Sequence, residues 1–220
     1  MLSYKNNTKL KKMLVAEITR HKKVDQITQG TYGDPNNPDR GFCAVGCSVH
    51  SLNLKLGKSY KTDDHTVYEK ELGIPEWLAR LEDTIFEGLP KKEAIEWPLR
   101  FAKAVPVGVN LEPVKWKFCA YLMQENIDRV LKLNISDELK KQVVDAVRGV
   151  LNLHTRAIET GNWDESAAES AAESAWSVAE SARSAWSAAE SAWSAAESAA
   201  RSAANIKHSK MLLKLIKESK

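Results

Sequence analysis

The chain has no run of apolar residues long enough to cross a bilayer, and no apolar segment follows its basic first residues as a secretion signal would. Only 3 of the 220 residues are cysteine, an odd set that favours free thiols over a disulfide framework. The net charge of +3 is small, so it does not indicate a nucleic-acid-binding protein. We therefore expect a cytoplasmic protein with neither a membrane nor nucleic acid as its main partner.

Glycine and proline are absent after Gly161, where Ser, Ala, Glu, Arg and Trp alternate instead. Serine recurs between 164 and 205 at the period of an α-helix, and Ala follows nearly every Ser. This spacing predicts one helix over 164–205. Such a helix would be roughly 60 Å long, so it either protrudes from a compact domain, folds back near Asn205, or is covered by a second copy of the chain.

The residues before this repeat carry helix signals separated by Gly and Pro. Helices are predicted at 3–28, from 42, and at 65–72, 76–87, 91–104, 114–133 and 136–159. We predict an all-α fold in which a multi-helix bundle packs on the long Ala/Ser-rich helix. The predicted domains are a helical core at 1–160, and a second part at 161–220 that holds the repeat helix and a basic amphipathic C-terminal helix. A homo-oligomer is expected, because a second copy would cover the small-residue face.

The segment FCAVGCSVHS, residues 42–51, has the composition of a buried helix start. Arg40 and Gly41 precede it, and a helix N-terminus approached by a glycine-containing loop suits an anion such as phosphate. The same position would lower the pKa of Cys43 if this residue lay in the first turn of the helix. This interpretation assigns six ligand-binding residues to the segment: Arg40, Gly41, Cys43, Gly46, Cys47 and His50.

Two other interpretations of the segment remain open. Its small residues allow close helix packing, which requires no function. Alternatively, Cys43, Cys47 and His50 share a helix face and could form a catalytic thiol site or a metal site. Their spacing is not a standard zinc signature, so we expect no metal and no cofactor.

Further candidates lie on the next helices. Trp97 and Arg100 could stack a nucleobase and hold a phosphate, although core packing also explains a tryptophan. The acidic residues Glu82, Asp83 and Glu87 could line a cleft, although a solvated helix face is the simpler interpretation. In the first helix, His21 is expected on the solvent side.

Six short motifs resemble those of a family of uncharacterised proteins from bacteria and tailed phages, over roughly residues 28 to 125. They are CAVGC (43–47), ELGIP (71–75), LARLED (78–83), IFEGLP (85–90), WPLRF (97–101) and PVG (106–108). Members of that family also carry alanine-rich tails. The resemblance implies a phage or mobile-element setting, but it carries over no activity and no catalytic residue.

The sequence thus favours a non-catalytic binding protein for a small anionic, nucleotide-like ligand. By analogy with the phage setting, such a protein could sequester host immune signals. One alternative is a Cys/His hydrolase or transferase with Cys43 or Cys47 as nucleophile. The other alternative is a structural protein that presents the long helix to a partner.

Overall fold

The computed structural model describes residues 1–24, 26–173 and 194–220, leaving out the side chains of Pro38 and 194–199. The all-α prediction is confirmed, since the described ranges contain packed helices and no strand. The helices are α1 Thr8–Lys23, α2 Ala44–Leu56, α3 Glu76–Gly88, α4 Lys91–Ala104, α5 Glu112–Val130, α6 Asp137–Thr160, α7 at 165–173 and α8 Ser194–Lys217. None of the helices in these ranges is long and apolar enough to cross a membrane.

The chain divides into two compact units, of which unit 1 comprises Met1–Glu112 with Ala199–Lys220, and unit 2 comprises Pro113–Ser198. This division does not coincide with the predicted boundary at 160–161. The last residues group with unit 1, where the Asn205 side chain donates a hydrogen bond to the Gly88 carbonyl at 2.9 Å. Leu212 and Ile216 on α8 are fully buried. The repeat helix predicted at 164–205 is helical at both ends, and its middle lies outside the described residues.

The core of unit 1 is formed by four helices, with α1 packed on α2 and α4, and α3 packed on α2 and α4. His21 on α1 is fully buried, which corrects its predicted solvent position. Its ring nitrogens lie 3.0 Å from the Gln26 amide oxygen and 3.2 Å from the Ser51 hydroxyl. Burial lowers the pKa of His21 to about 4, so the ring is neutral at neutral pH and suits a core position.

Residues before α1 form a separate turn, so the predicted helix over 3–28 begins later than expected. Tyr4, Lys5 and Asn6 all have positive φ angles of 50 to 55°, a conformation that costs roughly 1–2 kcal/mol for each such residue. Buried contacts offset this cost, because the Tyr4 hydroxyl donates to the Ala102 carbonyl at 2.7 Å. The Asn7 side chain then caps α1 by accepting bonds from two backbone N–H groups.

Glycine and proline residues mark the ends of the helices around the candidate site, as expected from the sequence. The helix predicted at 65–72 ends in a π-helical turn, Tyr68–Leu72, and Gly73 stops it in the left-handed conformation at φ 62°. Pro75 precedes α3. Pro98 lies inside α4, which begins at Lys91 as predicted.

The first turn of α2 is the most tightly enclosed part of unit 1. All residues from Gly41 to Leu52 are buried, as predicted for a packed helix. A methyl group on Gly46 would overlap the Tyr32 carbonyl oxygen. Glycine therefore allows the preceding loop to approach α2 closely at this point.

We predict that Gly46→Ala lowers the free energy of unfolding by about 1–3 kcal/mol, because the added methyl group has no space. Gly149→Ala is the matched control, since Gly149 lies in α6 with no atom within 4 Å of an added methyl. The control should be neutral or gain about 0.5–1 kcal/mol from helix propensity. Urea denaturation followed by circular dichroism measures the free energy of unfolding of both variants. Equal free energies for the two variants would contradict the close approach of the Tyr32 carbonyl to Gly46.

Candidate functional site

Two acidic side chains are buried side by side on α3. Glu82 is 1% exposed and Asp83 is 7% exposed, so the interpretation of these two acids as part of a solvated face is wrong. They follow the buried residues Leu78 and Ala79 by four positions, which places all four on the inward side of the helix. Buried carboxyl groups are rare unless they are paired, and this pair therefore marks a candidate functional site.

Glu82 occupies the deepest position of this cluster. Neither of its carboxyl oxygens has a hydrogen-bond partner among the described residues. The Tyr68 hydroxyl, from the π-helical turn, lies beside it but makes no well-formed hydrogen bond. Burial raises the pKa of Glu82 well above its usual value, and the neighbouring Tyr68 only partly opposes this effect. The folded protein therefore favours Glu82 as a neutral acid.

Asp83 faces a histidine at the other side of the cluster. Its Oδ2 atom lies 3.5 Å from Nε2 of His65, which is itself buried. Nδ1 of His65 lies 3.0 Å from the Asp63 carbonyl oxygen, which can only accept a hydrogen bond, so this nitrogen donates. The contact fixes the orientation of the imidazole ring toward Asp83.

Tyr32 separates this cluster from solvent. Its ring meets the His65 ring edge-on, with centroids 5.9 Å apart and an interplanar angle of 86°. Burial and the charge of Asp83 both raise the pKa of the Tyr32 hydroxyl. The residue is nevertheless 42% exposed, because the remainder of the side chain faces outward. The Tyr32 side chain thus contacts the buried Asp83–His65 pair on one side and is exposed to solvent on the other side.

A cavity of about 430 Å³ opens on the outer side of Tyr32, and we call it the Tyr32 groove. Residues of two loops line it: Tyr32, Gly33, Pro35, Ser59, Tyr60, Lys61, Thr62 and Asp63. The Thr62 hydroxyl donates to the Gly33 carbonyl at 3.0 Å and so ties the two loops together. The volume lies within the usual range for small-molecule sites. The described residues contain no cluster of three or more side chains that could hold a metal ion.

Both cysteines predicted at α2 are in the core. Cys43 caps α2, with its sulfur accepting from the Gly46 N–H at 3.3 Å, and Cys47 is fully buried. Burial raises the pKa of both thiols, and the charge of Asp83 raises that of Cys43 further. The lowering of the Cys43 pKa expected for a residue in the first turn does not arise, because Cys43 is the buried N-cap residue of α2.

The remaining predicted residues do not come together at one place. The His50 ring stacks on Phe42, with centroids 4.6 Å apart. Arg40 is exposed and Gly41 is buried. Arg100 forms an exposed ion pair with Glu93 at 2.6 Å.

Trp97 and Glu87 have structural partners of their own. Trp97 is 1% exposed and donates from its indole N–H to the Glu82 carbonyl oxygen at 3.0 Å, so it packs in the core against α3. Glu87 is exposed and accepts from the Gly30 N–H at 2.8 Å. Ligand binding by these residues stays a prediction.

The sequence interpretation missed the other residues around the buried acids: Tyr32, His65, Tyr68 and the 59–63 loop. They come from two segments about 30 residues apart in the chain, and no spacing rule relates the two segments. One signal was available, since an aromatic residue stood in the Gly/Pro-rich loop at 30–41. Conspicuous aromatic residues in loops often belong to binding sites.

Comparison with known proteins yields no match, whether to a family model, to a curated protein or to a solved structure. The motif resemblance to phage and bacterial proteins therefore stays an expectation.

We predict that Glu82→Gln removes a contribution to stability that decreases as pH rises, and so changes the slope of stability against pH. In the unfolded chain Glu82 ionises near pH 4.3, whereas the folded protein holds the proton. The contribution of Glu82 to stability is therefore largest below this pH, and falls by up to about 1.4 kcal/mol per pH unit as pH rises toward the folded pKa. Urea denaturation between pH 5 and pH 8 measures the slope.

The exposed Asp39 provides the control for this experiment, because Asp39→Asn removes a carboxyl group that is not buried. This variant should keep the slope of the native sequence. A Glu82→Gln variant with an unchanged slope would contradict a buried neutral acid.

Thiol labelling tests the state of the cysteines. Cys119 is partly exposed, whereas Cys43 and Cys47 are buried. We expect N-ethylmaleimide at neutral pH to modify Cys119 first, and the Cys119→Ser variant to label only after urea is added. Peptide mapping by mass spectrometry identifies the modified residue, and rapid selective labelling of Cys43 would contradict its position in the core.

Proposed function

We propose that the protein is a non-catalytic binding protein for a small nucleotide-like ligand, held in the Tyr32 groove. The observation that carries this proposal is a groove of ligand size with a partly exposed tyrosine ring at its inner wall, held against His65. Aromatic rings on a supported wall are suitable stacking surfaces for a nucleobase. The ligand class is the one expected from the sequence. The proposed binding site, however, lies in the loops next to α2 and not at the start of α2.

The charges around the groove orient such a ligand. The inner side contains Asp83 behind Tyr32, and a phosphate there would be repelled. Lys61 is the basic side chain among the groove-lining residues, and it lies in the outer loop together with the hydroxyl of Ser59 and the carboxylate of Asp63. The ring of the ligand therefore stacks on Tyr32 and its anionic group points outward to Lys61.

Tyr60 supports the outer wall of the groove. The Lys70 ammonium lies 4.9 Å from the centre of its ring, and its hydroxyl donates to Glu71 at 2.5 Å. The Asn53 side chain bonds both the N–H and the carbonyl of Tyr60. These contacts hold the 59–63 loop in place before a ligand arrives, which reduces the entropy lost on binding.

The two alternative functions have less support. A cysteine hydrolase needs a thiolate within reach of substrate, whereas Cys43 and Cys47 are buried with raised pKa values. A purely structural role does not require a ligand-sized groove beside two buried acids. The phage setting and the sequestering of immune signals remain part of the proposal as its biological context.

Calorimetric titration with adenosine 5′-monophosphate and with the other three common nucleoside 5′-monophosphates tests this function. We expect at least one to bind, and Tyr32→Ala to weaken that binding roughly 5- to 150-fold, the usual effect of one lost stacking contact. Tyr32→Phe keeps the ring and should retain most of the affinity. Lys61→Ala should weaken the nucleotide more than the uncharged nucleoside.

Lys92→Ala is the matched charge control, because Lys92 is exposed on α4 and does not line the groove. It should leave every affinity unchanged. Absence of binding by all four nucleotides, or binding that Tyr32→Ala leaves intact, would contradict the proposal.

A further inference from the structure

Unit 2 contains a second cavity, of about 460 Å³, at the corner between the end of α6 and the start of α7. Its described lining consists of Leu153, Arg156, Thr160, Asn162, Trp163, Asp164 and Glu165. Nothing in the proposed function uses this corner, which belongs to a different unit from the Tyr32 groove. The cavity combines one large aromatic side chain with two carboxylates and one guanidinium group.

The aromatic wall of this cavity is held by other rings. Trp163 stacks on Trp116 of α5, with centroids 4.9 Å apart and an interplanar angle of 5°. The His154 ring lies 5.1 Å from Trp163 and is 8% exposed. Trp163 lines the cavity whereas Trp116 does not. The cavity is therefore bordered by the Trp163 ring, which its neighbours fix in orientation.

The same stack already holds one ammonium group. The Lys115 Nζ atom lies 5.0 Å from the centre of the Trp116 ring, a distance typical of a cation–π contact. Burial and the charge of Lys115 lower the pKa of His154, so this histidine adds no positive charge near the rings at neutral pH. The electron-rich faces of the stack are thus available to cations.

Charges at the corner also favour a cation. Between 113 and 198 the chain has nine basic and thirteen acidic residues, a net charge of −4. The C-terminal end of α6 contributes partial negative charge, and the partial positive charge at the N-terminal end of α7 is offset by Asp164 and Glu165 at that end. Arg156 lies 3.9 Å from Asp164, which also caps α7 by accepting from the Ala167 N–H at 3.0 Å. Glu165 is the lining carboxylate that has no ion pair among the described residues.

We propose that this cavity binds a small organic ammonium cation, with the alkylated nitrogen on the Trp163 ring and Glu165 as its counter-charge. Alkylated ammonium groups suit such a site because they are weakly hydrated and are attracted to the negative face of an indole ring. Ligands of the opposite charge are disfavoured by the carboxylates of Asp164 and Glu165. This proposal does not rest on nucleotide binding in unit 1.

Choline and its uncharged isostere 3,3-dimethyl-1-butanol provide the test, because they share shape and differ in charge. The full-length protein is titrated with each at pH 7 and low salt, and the indole N–H signal of Trp163 is followed by NMR. The Trp163→Phe variant assigns this signal among those of the seven tryptophans. We expect choline to shift the Trp163 signal and to bind about tenfold or more tightly than the isostere.

Glu165→Gln should weaken choline binding about 3- to 10-fold, since it removes the counter-charge and preserves the side-chain shape. Glu169→Gln is the control, one helical turn further along α7, exposed and outside the cavity lining. It should leave choline binding unchanged. The proposal is overturned if choline leaves the Trp163 signal unshifted, if the isostere binds equally well, or if Glu165→Gln has no larger effect than Glu169→Gln.

Discussion

The close approach of the 26–33 segment to the first turn of α2 is the contact on which the architecture of unit 1 depends. Backbone hydrogen bonds join Phe42 to Gln26 at 2.8 Å, and Cys43 to Thr31 at 2.8 Å. Gly46 leaves space for the Tyr32 carbonyl. This enclosure places the Cys43 thiol next to Asp83 and positions the Tyr32 ring against His65. The groove and the buried acids are therefore two sides of one packing arrangement.

The buried acids have consequences for both stability and binding. A neutral Glu82 avoids the large desolvation cost of a buried charge, while Asp83 has His65 as its neighbour. Acidic side chains therefore lie behind the inner wall of the groove. An anionic ligand can use the groove only with its charge directed outward, which gives the site a defined polarity.

Much of the helical framework could be predicted from sequence, because local signals determine it. Gly73 and Gly161 end helices in the left-handed conformation, as glycine after an apolar periodic segment indicates. The buried start of α2 likewise follows from its run of small and apolar residues. These features depend on residues adjacent in the chain.

The site could not be predicted in the same way. Acidic residues are normally exposed, and only the packing of α3 against α2 and α4 reveals that Glu82 and Asp83 face inward. His21 was misplaced for a similar reason, since its partners Gln26 and Ser51 come together through the fold. The groove depends on a contact between loops that are about 30 residues apart, at Thr62 and Gly33. Contacts between residues far apart in the chain produce no periodic pattern in a single sequence.

The protonation state of Glu82 is the central claim of this account, because a neutral acid is what allows two carboxyl groups to be buried side by side on α3. Infrared difference spectroscopy of protein labelled with ¹³C-glutamate, comparing the native sequence with Glu82→Gln at pH 7, observes this carboxyl group directly. We expect the difference spectrum to contain the C=O stretch of a protonated carboxylic acid. A difference spectrum with only the two carboxylate bands would show that Glu82 is ionised and would contradict the account.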